Sequence, residues 1–255
     1  HDWNVDNGII GSFWDWCSKV VGISNQTISI LNQAMPEGAE KATLISEVKT
    51  MRAISYFMLM DGYGDVPLDT LYGDFSSRPK SSRKDVFNFI EKELKKAIPN
   101  LSPASGISTY GRPNRQTANA LLAKLYLNAE VYTGTQRYND AIAACDQVIG
   151  SGLYNIEPRA TYLQMFYPNN GPQMKEFIFA VPYDAAAVTV GFNGQMYHAR
   201  YDVPRSERAK FGLQFTPSAA RSTLPEFYAN FNDPNDIRNR QWLTGLQYMN
   251  DGVTP

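Results

Sequence analysis

The sequence predicts a mainly α-helical protein, a solenoid of tetratricopeptide-like helix pairs decorated with long loops and a short β-hairpin. Three observations carry that expectation. Across the first 150 residues, apolar side chains recur every three or four positions in five successive stretches. The fourth and fifth stretches carry small and aromatic residues where a helix-pair repeat needs them. After Tyr154 the helical period stops, and Gly, Asn, Tyr and Arg dominate. The 255 residues are 43% hydrophobic, 13% aromatic and 19% charged, enough to bury a substantial core. The chain reads as one domain over 1–255, with helical repeats in 1–154 and a loop-rich part, holding short strands and a helix, in 155–255.

The first helix is predicted over residues 9–35, with Phe13, Trp16, Cys17, Val20, Ile23, Thr27, Ile30, Leu31 and Ala34 facing inward, and Pro36 and Gly38 ending it. The second, over 40–61, turns Leu44, Val48, Met51, Ser55, Met58 and Leu59 inward, and the short loop between the two makes them antiparallel. Ser82 opens the third with a capping-box-like S-R-K-D, followed by Val86, Phe89, Ile90, Leu94, Ala97 and Ile98. The fourth runs from about Arg115 to Thr133 and buries Ala118, Leu122, Leu125, Ala129 and Tyr132. The fifth places Tyr138, Ala141, Ile142, Cys145, Val148 and Ile149 inward and is capped at Gly150 or Gly152. Ala123 and Ala141 let these last two helices approach closely, while Tyr126 fills the gap between neighbouring units. Further on, residues 177–182 are a strand candidate, residues 218–231 a last helix and NDPNDIRNR a turn.

The stretch MRAISYFMLMDGYGDVPLDT, residues 51–70, is an apolar helix that stops abruptly. Asp61, Asp65 and Asp69 follow one another at four-residue intervals, but Gly62, Gly64 and Pro67 interrupt the helix between them, so they share no helix face. The stretch reads as an architectural corner built on Tyr63, Gly64, Asp65 and Pro67. A glycine there takes the left-handed conformation that closes a helix, Pro67 cannot continue it, and Asp65 accepts hydrogen bonds from nearby amides. Arg52, inside the helix, calls for a carboxylate partner within the core.

These residues carry a resemblance. RAISYFMLMDGYGDVPLDT resembles the helix-end signature of the SusD/RagB family of outer-membrane nutrient-binding lipoproteins, in which an Arg-Ala helix with a Tyr-Phe pair runs into Tyr-Gly-Asp-Val-Pro-Leu. FWDWCSKVVGISNQTISIL is similar to the family's preceding Trp-containing helix with its late Asn. ANALLAKLYLNAEVY and YNDAIAACDQVIGSGLY look like its tetratricopeptide-like pair, and EFYANFNDPNDIRNR resembles its Asp-x-Arg turn. The resemblance implies a surface protein that binds a glycan or another nutrient and acts as a lid on a SusC-like TonB-dependent outer-membrane transporter. It also implies a lipid-anchored N-terminal cysteine, and no cysteine precedes the first helix here. Members of the family are longer at the C-terminus, so the chain reads as a portion of such a protein. It starts at His1 without a signal-type segment, as a processed or trimmed terminus would.

Composition excludes several other classes. With 24 basic and 25 acidic residues, a net charge of -1 and a single dense basic run, EKELKK, that alternates with acids, nothing marks a nucleic-acid or anionic-membrane partner. Cys17 and Cys145 occupy core-like helical positions without a close pair or a His/Cys cluster. No apolar run approaches a membrane span. His198 lacks a nucleophile motif around it, no nucleotide-binding motif occurs, and no paired carboxylates are legible, so neither catalysis nor a cofactor is expected.

Sugar binding requires exposed aromatic faces for pyranose rings, with amides, acids and arginines for the hydroxyls. Two stretches have that make-up. HDWNVDNG offers Trp3, Asn4, Asp6 and Asn7; FNGQMYHARYDVPR offers Phe192, Asn193, Tyr197, Arg200, Tyr201 and Asp202. Trp16 reads as core, and Trp242 fits either role. Asp233, Asn235 and Asp236 of NDPND could ligate calcium, but without the EF-hand glycine and glutamate a turn with local side-chain caps is favoured. The functional expectation is a non-enzymatic glycan-binding component of an uptake complex. Its alternatives are binding of another nutrient, such as peptide, and a tetratricopeptide-type protein-interaction scaffold.

Overall fold

The computed structural model describes residues 8–74, 76–182, 203–213, 216–217, 221–246, 248 and 253. The chain divides into two compact units, His1–Glu157 with Tyr167–Val181, and Pro158–Phe166 with Pro182–Pro255. Described residues of the first unit form α1 (Gly8–Ala34), α2 (Ala39–Tyr63), β1 (Val66–Pro67), β2 (Lys80–Ser81), α3 (Arg83–Ala97), α4 (Arg115–Leu127), α5 (Ala129–Thr133) and α6 (Tyr138–Ile149). Among the described residues, no helix is long and apolar enough to cross a membrane.

Side-chain-to-backbone bonds fix how the first three helices run. Along α1 and α2, Tyr63 reaches the Ile10 carbonyl, Ser55 the Cys17 carbonyl at 2.8 Å, and Lys41 the Asn32 carbonyl at 3.1 Å. Descending numbers on one helix meet ascending numbers on the other, so the pair is antiparallel as expected. The Lys41 ammonium also takes the Met35 carbonyl at 3.2 Å, closing the C-terminus of α1 with a cation where the helix dipole favours one. Thr43 meets Asn100, Arg52 meets Glu93 and Tyr56 meets Phe89, which makes α2 and α3 antiparallel in turn.

Local chemistry sets the remaining helix ends. Ser82 accepts the Asp85 amide at 3.1 Å to cap α3, and Asn114 and Thr117 form a reciprocal capping box on α4. Ala118, Leu122, Leu125, Ala129 and Tyr132 are buried as predicted. The single helix expected over 115–133, however, breaks at Asn128 (φ -101°, ψ 12°), whose side chain bonds back to the Lys124 carbonyl and competes with the helical ladder. Gly134, at φ +76°, ends α5.

Three inward faces differ from the expectation. On α1 the buried residues are Cys17, Val21, Ser24 and Asn25, while Phe13, Ile23, Ile30 and Trp16, which is 47% exposed, face outward. The face that packs on α2 is chosen by Asn25 and the Cys17 carbonyl, both of which bond to α2, rather than by the larger apolar stripe. On α6, Ala141 and Ala144 are buried, whereas Tyr138, Ile142, Cys145 and Ile149 are exposed. Alanines admit a close approach to α4 that branched side chains would obstruct. On α2, Leu44, Val48, Met51 and Met58 are only partly buried, and Thr50, Ala53, Tyr56 and Met60 fill the inner face.

The strand expected at 177–182 does not form. Its Ile178 carbonyl instead takes the Thr117 hydroxyl at the start of α4. The sheet among the described residues is the antiparallel pair β1–β2, with Val66 opposite Ser81 and Pro67 opposite Lys80. In the second unit the helix expected over 218–231 shrinks to α7 (Pro225–Tyr228) among the described residues. Pro225 excludes Leu224 from helical geometry, and Leu224 is extended at φ -73°, ψ 143°. Phe227, Tyr228 and Phe231 gather edge-on around Trp242, with centroids 5.0–6.1 Å from it, so Trp242 is a packing centre of that unit.

Candidate functional site

A network of buried polar groups holds the chain that follows the corner after α2. Arg52, 5% exposed, grips Glu93 through two parallel bonds of 2.9 and 2.6 Å and gives its remaining nitrogen to Asn25 at 2.6 Å and the Thr70 carbonyl at 3.3 Å. Asn25 in turn donates to the Asp69 carbonyl at 3.1 Å. Tyr56 holds the same residue twice, donating to its carbonyl at 2.7 Å and accepting from its amide at 2.8 Å. Burial pushes the Tyr56 phenol up to about 12, so it remains a neutral donor at physiological pH. Residues of α1, α2 and α3 together fix Asp69 and Thr70.

The loop that leaves this anchor is clamped at its base by β1 and β2. Leu71 and Tyr72 stand on it in solvent, Tyr72 at 56% exposure with its hydroxyl 3.3 Å from Gln26. Arg78 bonds Asp74 and lies 3.7 Å from Asp69. Bonds from Ser76, and the Arg78 charge, hold the Asp74 carboxyl below its usual range. An exposed tyrosine, acids and an arginine on a loop held by buried hydrogen bonds are the groups a sugar needs, placed by a rigid scaffold.

The corner residues have separate tasks. Gly64 closes α2 at φ +81°, and a Cβ there would sit 3.2 Å from Arg83 Nε. Asp65 accepts the Arg83 amide at 2.9 Å, tying the end of α2 to the start of α3. Tyr63 stacks on Phe13 and meets Trp14 edge-on, and Pro67 lies in β1. Asp61 accepts the Tyr132 hydroxyl at 2.7 Å. Asp61, Asp65 and Asp69 therefore serve three different partners and form no carboxylate cluster.

Of the ligand residues expected from sequence, Trp3, Asn4, Asp6, Asn7, Phe192, Asn193, Tyr197, Arg200, Tyr201 and Asp202 lie outside the described residues, as does His198. Asp233 accepts the Asn235 amide at 2.8 Å, and Asp236 accepts the Arg238 amide at 2.9 Å and pairs with its guanidinium. Both carboxylates are thus engaged by the turn they build. No cluster of three or more His, Cys, Asp or Glu fit for a metal occurs among the described residues. Tyr72 and the anchoring of Asp69 escape a reading by sequence, since Asn25, Arg52, Tyr56 and Glu93 come together only in the fold; the late Asn of the first helix and the need of Arg52 for a carboxylate were the legible signs.

Comparison with known proteins adds to this geometry. A SusD-like family model, described as starch-binding and associating with outer membrane, matches residues 1–127, which carry α1 to α4 and the corner. The chain belongs to the SusD-like family. A SusD-like protein of Bacteroides ovatus is 33% identical over 129 residues, 48% of this chain and 23% of that relative. The starch-binding protein SusD of Bacteroides thetaiotaomicron is 26% identical over 162 residues, 62% of this chain and 28% of that protein. A solved structure with a xylogluco-oligosaccharide is 28% identical, with a TM-score of 0.60 over 69% of this chain and 36% of its own. This SusD-like chain thus spans roughly a quarter of the two curated relatives.

Proposed function

We propose that this protein binds oligosaccharide or polysaccharide at the cell surface, without catalysing any reaction, and passes it to a SusC-like TonB-dependent outer-membrane transporter. The observation that carries the reading is membership of the SusD-like family together with a relative whose solved structure includes a xylogluco-oligosaccharide. The clamped loop bearing Tyr72 supports it by giving a ring-stacking side chain a fixed backbone. Contacts from Trp3, Asn4, Asp6, Asn7, Phe192, Asn193, Tyr197, Arg200, Tyr201 and Asp202 belong to the same proposal. So do an outer-membrane location and a lipid anchor. No cofactor takes part.

Titration against starch- and xyloglucan-derived oligosaccharides tests the reading, with saturable heat as the expected result and none, from folded protein, as the contrary one. A second reading, a scaffold for partner proteins, draws on the exposed Tyr138, Ile142 and Ile149 of α6. Under it, substitution of Tyr72 leaves all binding unchanged.

A further inference from the structure

The apolar stripe that periodicity assigns to the interior of α1 is the one the fold leaves in solvent. From Ile9 it recurs after four, three, four, three, four, three and four residues and ends at Ala34, a strict seven-residue repeat over nearly four heptads. Its five largest side chains, Ile9, Phe13, Trp16, Ile23 and Ile30, are 40–75% exposed, and Ala34 is exposed as well. Cys17 and Asn25, through which α1 bonds α2, lie off this seam, as does Gln26, which meets Tyr72. Apolar positions kept at this spacing over three to four heptads are the pattern that seats a second helix.

The helix that fits this seam is α1 of another copy. Antiparallel pairing about a two-fold axis midway between Val21 and Gly22 sets Ile9 against Ala34, Phe13 against Ile30, Trp16 against Thr27 and Val20 against Ile23 of the other copy. The two rings thereby meet smaller side chains, so every layer fills without overpacking. Parallel pairing in register would instead set Trp16 on Trp16 and Ala34 on Ala34, one layer crowded and the other empty. Thr27, the polar member, has its hydroxyl bonded to the Ile23 carbonyl at 2.8 Å. Asp15 and Lys19 are the only charged residues of α1 and neither lies on the seam, so pairing buries no ion there. Opposed helix dipoles favour the same orientation.

We infer that two copies of this chain associate through the α1 seam as an antiparallel, two-fold symmetric dimer. The contact is isologous, each copy supplying the same surface, so it closes at two. The seam is about 38 Å long and one helix wide, a small interface, which sets the dimer in the micromolar rather than the nanomolar range. The inference is independent of the glycan reading.

Sedimentation velocity across a concentration series tests it. Wild type passes from monomer to dimer; Ile23→Glu, which sets two carboxylates beside the two-fold axis, weakens the dimer about 30-fold or more; Ile142→Glu, on the exposed face of α6, leaves it unchanged. A wild type that stays monomeric, a dimer that survives Ile23→Glu, or one lost with Ile142→Glu overturns the seam. So does a monomeric wild type whose melting temperature falls with Ile23→Glu, since the stripe is then covered by the protein's own chain. Orientation is read by cross-linking, which also decides the matter should Ile23→Glu fail to fold. Cys145, which is exposed, is first replaced by serine. Ile9→Cys mixed with Ala34→Cys then forms a disulfide-linked dimer under glutathione disulfide, and neither variant does so alone. Linkage of Ile9→Cys to itself, or no linkage in the mixture, overturns the antiparallel pairing.

Discussion

Arg52 shows how single residues position this protein's loops. Its guanidinium is buried and fully engaged, so removing its partner leaves a charge without compensation. Glu93→Ala lowers stability by about 3–5 kcal/mol, read from urea unfolding; a loss under 1 kcal/mol contradicts the network. Gly64 acts through conformation. Gly64→Ala must hold a side chain at positive φ against Arg83, which costs about 1–3 kcal/mol and shows as a lowered melting temperature. An unchanged melting temperature would mean that the corner relaxes freely. At this scale the sequence was half legible. That Arg52 needs a carboxylate and that a glycine closes the helix follow from local chemistry, whereas Glu93, 41 positions away, becomes its partner only when α2 and α3 pair.

Glu91 joins elements. Its carboxylate takes Lys95 at 2.7 Å on its own helix, Tyr126 at 2.7 Å from α4 and Arg137 at 3.1 Å from the start of α6. Burial alone would raise its pKa, but bonds from Lys95, Tyr126 and Arg137 outweigh that and hold it below the ordinary glutamate range. A depressed folded pKa gives stability that is present above the unfolded value, about 4.3, and lost as pH falls through the folded one. The melting temperature of wild type accordingly drops toward that of Glu91→Gln as pH falls below about 4.3, and a constant difference between the two would refute the junction. The faces of α6 give another check. Ile142, 58% exposed, tolerates serine within about 0.5 kcal/mol, whereas Ala141→Leu overpacks the α4 contact at about 1–3 kcal/mol, both read by thermal melting. The reverse order would restore the stripe expected from sequence. Periodicity reveals that a helix has an apolar stripe; it does not reveal whether a neighbour prefers that stripe or the alanines beside it.

For the whole molecule, the helical architecture was legible because capping residues, short loops and apolar periods agree along α1 to α6. The strand at 177–182 and the long helix at 218–231 were not, since the first depended on a partner strand and the second ran through Pro225. The functional expectation came from a combination of motifs, of which YGDVPL is an architectural corner that orients the Tyr72 loop. The central claim is that this scaffold presents a sugar site. Its most direct test is calorimetric titration of wild type and Tyr72→Ala with starch- and xyloglucan-derived heptasaccharides and a length-matched peptide. The account predicts saturable binding of a heptasaccharide, none of the peptide, and an affinity about 3- to 10-fold weaker in the variant. Binding of the peptide alone, or equal glycan affinity in both proteins, would contradict it.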